Sequence, residues 1–154
     1  MAYEYKDDID KQYYLNDKKV KYEKGSRVKE TLWNIDNLNK NTVLYLCEGI
    51  GSMAKLWTYN KNSTCTFGAQ ISDYQIKYLQ QFPLIRMIPD WDKAGFESVD
   101  KLRKYIDNLQ IIDIGEMEDT DDNFILELQN TNNIISPKEY IAKYMIQYSI
   151  KSLF

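Results

Sequence analysis

An α/β fold, with a central parallel sheet of about four strands flanked by helices, is predicted by three features of the sequence. Four short apolar runs recur at similar intervals, the stretches between them carry helical patterning, and acidic residues follow three of the four runs. Strand and helix patterns in alternation are the mark of βαβ units. The 154 residues, 44% hydrophobic and 28% charged, suffice for one core, so one compact domain with short extensions is expected.

Residues 1–40 are polar, with β-leaning fragments at 12–15 and 19–22 and a turn signal at Gly25-Ser26; they read as an N-terminal hairpin or arm. Residues 42–47 form a continuous apolar run, as in a strand covered on both faces of a parallel sheet. Met53, Leu56 and Trp57 recur at helical spacing and predict a helix over 52–59. A second strand follows at 63–67. Ser72 and Gln75 have the spacing of a capping box that opens a helix carrying Ile76 and Leu79 inward. The third strand is expected at 84–89. The next helix runs from about 93 to 107, with Phe96, Val99, Leu102 and Ile106 as its inner stripe, and the fourth strand lies at 110–114. Ser136, Pro137 and Glu139 open a last helix. Its stripe of Tyr140, Ile141, Tyr144, Met145 and Tyr148, broadened by Ile146, Ile150 and Leu153, suits packing on the sheet or docking of a second chain.

Composition removes several chemistries. There is no histidine, so Ser-His-Asp hydrolysis, Cys-His proteolysis and His-ligated zinc are excluded. Cys47 and Cys65 each sit in an apolar run and read as buried thiols. A net charge of −3 argues against a pervasive basic surface for nucleic acid, so any such contact is expected to be local or metal-assisted. No apolar stretch approaches the ~20 residues that span a bilayer, and the charged first eleven residues are unlike a signal peptide. A cytoplasmic protein is expected, in a bacterium or a phage-infected host.

The acidic residues carry the chemistry. Glu48 follows the first strand, Asp90-Trp91-Asp92 the third, and Glu118-Asp119-Thr120-Asp121-Asp122 comes shortly after the fourth. In a parallel sheet these share one edge. Magnesium takes oxygen ligands, and carboxylates two residues apart in extended backbone face one side, which suits Asp90 and Asp92 to one ion or two adjacent ones. Gly49 and Gly51 bracket the first strand-to-helix turn, where glycine permits close approach or a positive φ. Gly95 opens the helix after Asp92, where a missing side chain admits a phosphate. Singly, each aspartate reads as a solvated cap or turn residue; the set at successive strand ends reads as a site.

Val43-Leu-Tyr-Leu-Cys-Glu48-Gly49, Thr66-Phe67-Gly68-Ala69 and Ile88-Pro-Asp90-Trp-Asp92-Lys-Ala-Gly95 resemble the successive motifs of the Toprim domain, a Rossmann-like fold shared by topoisomerases, DnaG-type primases, OLD-family nucleases and small ribosomal-RNA-maturing ribonucleases. Asp-x-Asp-x-Ala-Gly is the form found in primases, and Glu118-Asp-Thr-Asp121 resembles their Glu-Asp-Pro-Asp. Residues 31–36 resemble the segment that leads into the domain in phage primases. The resemblance covers about residues 30–130. It divides the chain into an arm, 1–40, a remnant of the primase basic subdomain; a catalytic domain, 41–131; and a C-terminal helix, 132–154.

The resemblance implies that Glu48, Asp90 and Asp92 are catalytic, with Mg2+ or Mn2+ held by these three together with Asp119 and Asp121. It places Gly49, Gly68 and Gly95 where phosphate or backbone approaches. Lys19, Lys21, Arg27 and Lys93 are the candidates for nucleic-acid contact, although the lysine-rich segment from Lys18 to Lys29 also suits a solvated hairpin. Trp91 stands where glycine is common and suits either stacking on a base or burial against a neighbouring loop. Ser52 replaces an aspartate usual four residues after the motif glutamate, and no zinc-ribbon cysteines are present. The function implied is the catalytic part of a DNA primase, making RNA primers from ribonucleoside triphosphates on single-stranded DNA. A zinc-ribbon primase half or a replicative helicase is the expected partner. A small Toprim nuclease or a non-catalytic assembly module are the alternatives.

Overall fold

The computed structural model describes residues 27–117 and 121–151. Of the arm predicted over residues 1–40, residues 1–26, with Lys19 and Lys21, lie outside these, and the described remainder forms two short 3-10 turns, Val28–Glu30 and Ile35–Asn37. Four strands, β1 (Leu44–Cys47), β2 (Ser63–Cys65), β3 (Ile85–Ile88) and β4 (Leu109–Ile112), pair in parallel. A fifth, β5 (Ile134–Ile135), pairs antiparallel with β4, giving the order β2-β1-β3-β4-β5. The predicted α/β fold with about four parallel strands is what forms. The short fifth strand is an addition, two residues being too few to show an alternating pattern.

The α-helices among the described residues are α1 (Ile50–Thr58), α2 (Asp73–Leu79), α3 (Lys93–Leu102), α4 (Phe124–Gln129) and α5 (Pro137–Lys151). The capping box at α2 is present: the Gln75 backbone donates to Ser72 Oγ at 3.1 Å and the Ser72 backbone to Gln75 Oε1 at 3.0 Å. Helix α3 is shorter than its pattern suggested and ends at Leu102, yet Ile106, the last residue of the expected stripe, is still buried from the turn beyond it. Helix α4, six residues long, has no counterpart in the sequence prediction.

Alternate strand residues face opposite ways, so the all-apolar strands feed two cores. Leu46, Met87 and Ile111 join Ile76, Leu79, Val99, Leu102 and Tyr140 beneath α2, α3 and α5. Cys47, Cys65, Ile88 and Ile112 join Met53, Leu56, Phe124 and Leu128 beneath α1 and α4. Both cysteines are buried thiols outside any disulfide, in register on β1 and β2. The last helix packs on α3 and β4, but Met145 and Ile146 of its expected stripe are exposed. Among the described residues no helix is long and apolar enough to cross a membrane.

Candidate metal-binding active site

In an order β2-β1-β3-β4 the chain leaves β1 toward opposite sides, and the crevice between the carboxyl ends of β1 and β3 is where such sheets bind ligands. Glu48 directly follows β1 and Asp90-Trp91-Asp92 follows β3, so both lie at that crevice. A cleft of about 530 Å³ opens there, lined by Gly49, Gly51, Ser52, Asp90, Trp91, Asp92, Gly115 and Glu116 among others.

Glu48 is 4% exposed. Burial first, and the negative charge of Asp90 second, push its carboxyl up to about 7; Asp92 adds to the shift, while a backbone hydrogen bond from Asp90 and the charge of Lys29 oppose it. The Asp90 backbone N–H lies 3.4 Å from Glu48 Oε1. Asp90 and Asp92 are exposed. One Asp92 oxygen caps α3, accepting from the Gly95 backbone at 2.8 Å, which satisfies the cap reading and leaves the second oxygen for a ligand. Gly95 is indispensable to this packing: a Cβ there would sit 2.1 Å from the Asp90 carbonyl oxygen and 3.0 Å from Glu48 Oε1.

The other glycines differ. Gly68 holds a φ of +109°, directly after Phe67 at +58°, in the loop after β2. Its N–H donates to the Glu48 carbonyl at 2.8 Å, which ties that loop to the end of β1. Gly49 is extended, at φ −106°, and a side chain on it would meet nothing within 4 Å. The positive φ considered for that turn is therefore absent at Gly49.

Lys29 serves structure. Its ammonium donates to the carbonyls of Thr66, Phe67 and Gln70 at 3.1, 3.2 and 2.6 Å, holding the β2 loop. Burial lowers its pKa, against the pull of Cys65 and Glu48. Arg27 pairs with Glu30, and Lys93, in the first turn of α3, pairs with Glu97 at 3.7 Å. Asp121 is exposed, its carbonyl accepting from Lys55 at 3.2 Å. Glu118 and Asp119 lie outside the described residues.

Among the described residues, no three acidic, cysteine or histidine side chains converge closely enough to cage a metal unaided. What they form is an open arrangement: a buried carboxylate against the Asp90 backbone, its ionisation opposed by its acidic neighbours, and two exposed carboxylates lining the cleft beside it. An added divalent cation would relieve that repulsion, and the all-oxygen donors suit Mg2+, which keeps several of its waters. The residues therefore fit the ion.

Two features at the site had no local signal in the sequence. Trp91 packs against a helix, α5, and not a loop, with ring centroids 5.6 Å from Tyr140 and 6.0 Å from Tyr144. Asp113, read only as part of a strand, has a side chain 5% exposed and pairs with Lys143 at 2.5 Å. The Tyr140 hydroxyl is buried without a hydrogen-bond partner among the described residues. Burial, then the charges of Asp113, Glu48 and Asp92, raise its pKa.

No family model and no curated protein sequence matches the chain. Solved structures do. The primase fragment of the bacteriophage T7 primase-helicase protein matches with a TM-score of 0.57 at 17% identity, over 68% of this chain and 51% of that one. The DnaG catalytic core matches at 0.52 and 16%, over 83% and 43%. The RNA polymerase domain of Mycobacterium tuberculosis primase DnaG matches at 0.53 and 11%, over 66% and 38%. The chain thus spans about half, or less, of the length of these structures. Sheet order, strand-end carboxylates and these likenesses together identify the fold as that of DnaG-type primase catalytic cores.

Proposed function

We propose that this chain carries the nucleotidyl-transfer centre of a DNA primase, joining ribonucleoside triphosphates into RNA primers on single-stranded DNA with Mg2+ or Mn2+. The observation that carries this reading is that Asp90 and Asp92 line one cleft at the β1–β3 crevice with Glu48 buried against the Asp90 backbone, on a fold shared with primase catalytic cores. In this reading Asp90 and Asp92 are the principal metal-holding residues, with Glu48 behind them and Asp119 and Asp121 completing the set. When bound, divalent ions offset triphosphate charge and activate the attacking hydroxyl.

The chain's own part is placement. Glu48 is fixed by the strand and supports the Asp90 backbone from beneath. Gly49 and Gly51 leave the mouth of the cleft open beside the start of α1, whose first N–H groups attract phosphate. Ser52 occupies the position where a further carboxylate is usual, which makes the site less negative on that side. Template capture is assigned to Arg27, Lys93, Lys19 and Lys21 together with a partner, a zinc-ribbon primase half or a replicative helicase, in a bacterial cytoplasm or an infected host.

The test is product analysis on a denaturing gel with single-stranded DNA, labelled ribonucleotides and Mg2+ or Mn2+, with and without a co-encoded partner. Short labelled RNA that disappears in Asp90→Ala is the expected result. Shortening of the DNA without RNA synthesis would assign the same carboxylates to a nuclease.

A further inference from the structure

The residue between the two aspartates is held from outside the sheet. Trp91 lies edge-on to Tyr140 and Tyr144 of α5, at interplanar angles of 82° and 74°. Tyr144 in turn stacks on Phe96 of α3, with centroids 4.6 Å apart and planes 16° apart, one turn beyond the Asp92 cap. The ammonium of Lys143 sits 5.3 Å from the centre of the Trp91 ring. That ammonium is anchored by the Asp113 carboxylate, whose other oxygen accepts from the Gly115 backbone at 3.1 Å. Helix α5 is itself fixed at its start by a reciprocal pair, the Ser136 backbone donating to Glu139 at 2.7 Å and the Glu139 backbone to Ser136 Oγ at 3.2 Å.

Such a grip does more than fill space. An Asp-x-Asp turn after a strand has exposed carboxylates, and each backbone dihedral left free must be ordered when a ligand binds. A large ring in the middle of the turn, packed on two tyrosines and a tethered cation, fixes the direction in which its neighbours on both sides point. Lys143 also brings a positive charge beside an acidic turn, with Asp113 neutralising it locally so that it does not compete with an incoming ion.

We propose that α5 is the positioning element of the acidic site: through Trp91, gripped by Tyr140, Tyr144 and the Asp113–Lys143 pair, it sets Asp90 and Asp92 for a divalent cation before the cation arrives. The proposal rests on the reading of Asp90 and Asp92 as metal-holding residues. Trp91, Lys143 and Asp113 are positioning residues, acting on the cation through Asp90 and Asp92.

The experiment is Mn2+ titration of the full chain, followed by the spin-resonance signal of free Mn2+, with thermal melting of each metal-free variant alongside. Loss of a supporting contact around metal ligands typically weakens binding about 10- to 100-fold, and that is the effect expected for Trp91→Ala, with Trp91→Phe close to wild type. The double variant Asp113→Asn, Lys143→Gln removes the cation without stranding a buried charge, and it is expected to weaken Mn2+ several-fold at an unchanged melting temperature. Asp90→Asn tests the underlying reading. If Asp90→Asn abolishes binding while Trp91→Ala and the double variant bind as tightly as wild type, α5 is only packing and the proposal falls. Should Trp91→Ala not fold, the double variant decides alone. If wild type binds no Mn2+, or Asp90→Asn binds equally well, the metal-site reading fails first and takes the proposal with it.

Discussion

Glu48 and the Asp90–Asp92 turn meet at the same crevice but are held there by opposite means. Glu48 is packed against the end of the sheet, directly after β1: 4% exposed, its carbonyl bonded to Gly68, its carboxylate against the Asp90 backbone and under Gly95. The turn is outside the sheet, its carboxylates exposed, held by a helix cap at Asp92 and by the aromatic contacts of Trp91. One half is fixed by backbone packing and the other by side chains. The first should therefore break when an atom is added, and the second when a polar or aromatic group is removed.

The largest effect expected is that of Gly95→Ala. Its methyl would occupy space 2.1 Å from a backbone oxygen that cannot swing aside. A loss of about 3 kcal/mol or more is expected in urea unfolding, at or beyond the upper end for overpacking, together with loss of Mn2+ binding.

Next comes Glu48→Gln, read as stability against pH in EDTA. The folded pKa of about 7 stands above the ordinary 4.5, so the folded protein binds the proton more tightly than the unfolded chain. With respect to this group, stability is full below about 4.5 and declines as pH rises through 7. Raising the carboxyl from 4.5 to about 7 corresponds to roughly 3 kcal/mol. Glu48→Gln should remove that slope, leaving the variant more stable than wild type at about pH 8 and similar to it at about pH 5. Mg2+ should raise the melting temperature of wild type much more than that of the variant.

Asp92 separates the two roles of the turn. Asp92→Asn keeps an oxygen for the Gly95 N–H and should melt like wild type while binding Mn2+ weakly. Asp92→Ala loses both functions and should cost about 1 kcal/mol of stability, the usual size of a lost cap. The smallest effect belongs to Gly49→Ala, where backbone is extended and space is open. A change within about 0.5 kcal/mol is expected there, in contrast to Gly95 across the cleft.

The four parallel strands and the opening of α2 were legible in the sequence because each is a local property. A continuous apolar run marks a strand covered on both faces, and Ser72 with Gln75 forms its box within a single helical turn. The end of α3 was less so, since the inward-facing Ile106 continues the periodic pattern past the point where the helix stops. Helix α4 and strand β5 are short, and what keeps them in place is burial of Phe124, Ile125 and Leu128 and pairing with β4, neither of which leaves a local pattern. The lysine-rich segment was ambiguous for a related reason: charge suggests solvent or phosphate, and only the position of the β2 loop turns Lys29 into a ligand for three carbonyls.

The sequence by itself determined that Glu48 and Asp90 would stand just beyond β1 and β3, because the alternation of elements sets strand direction and so gathers the residues after each parallel strand at one edge. It also excluded histidine chemistry outright. Only the tertiary structure decided that Glu48 would be buried beneath Gly95, that Trp91 would be claimed by α5, and that Asp113 would meet Lys143 thirty residues away. Those outcomes depend on which surfaces meet when helices close over the sheet, and contact between distant segments is set by packing of the whole and not by the composition of either segment.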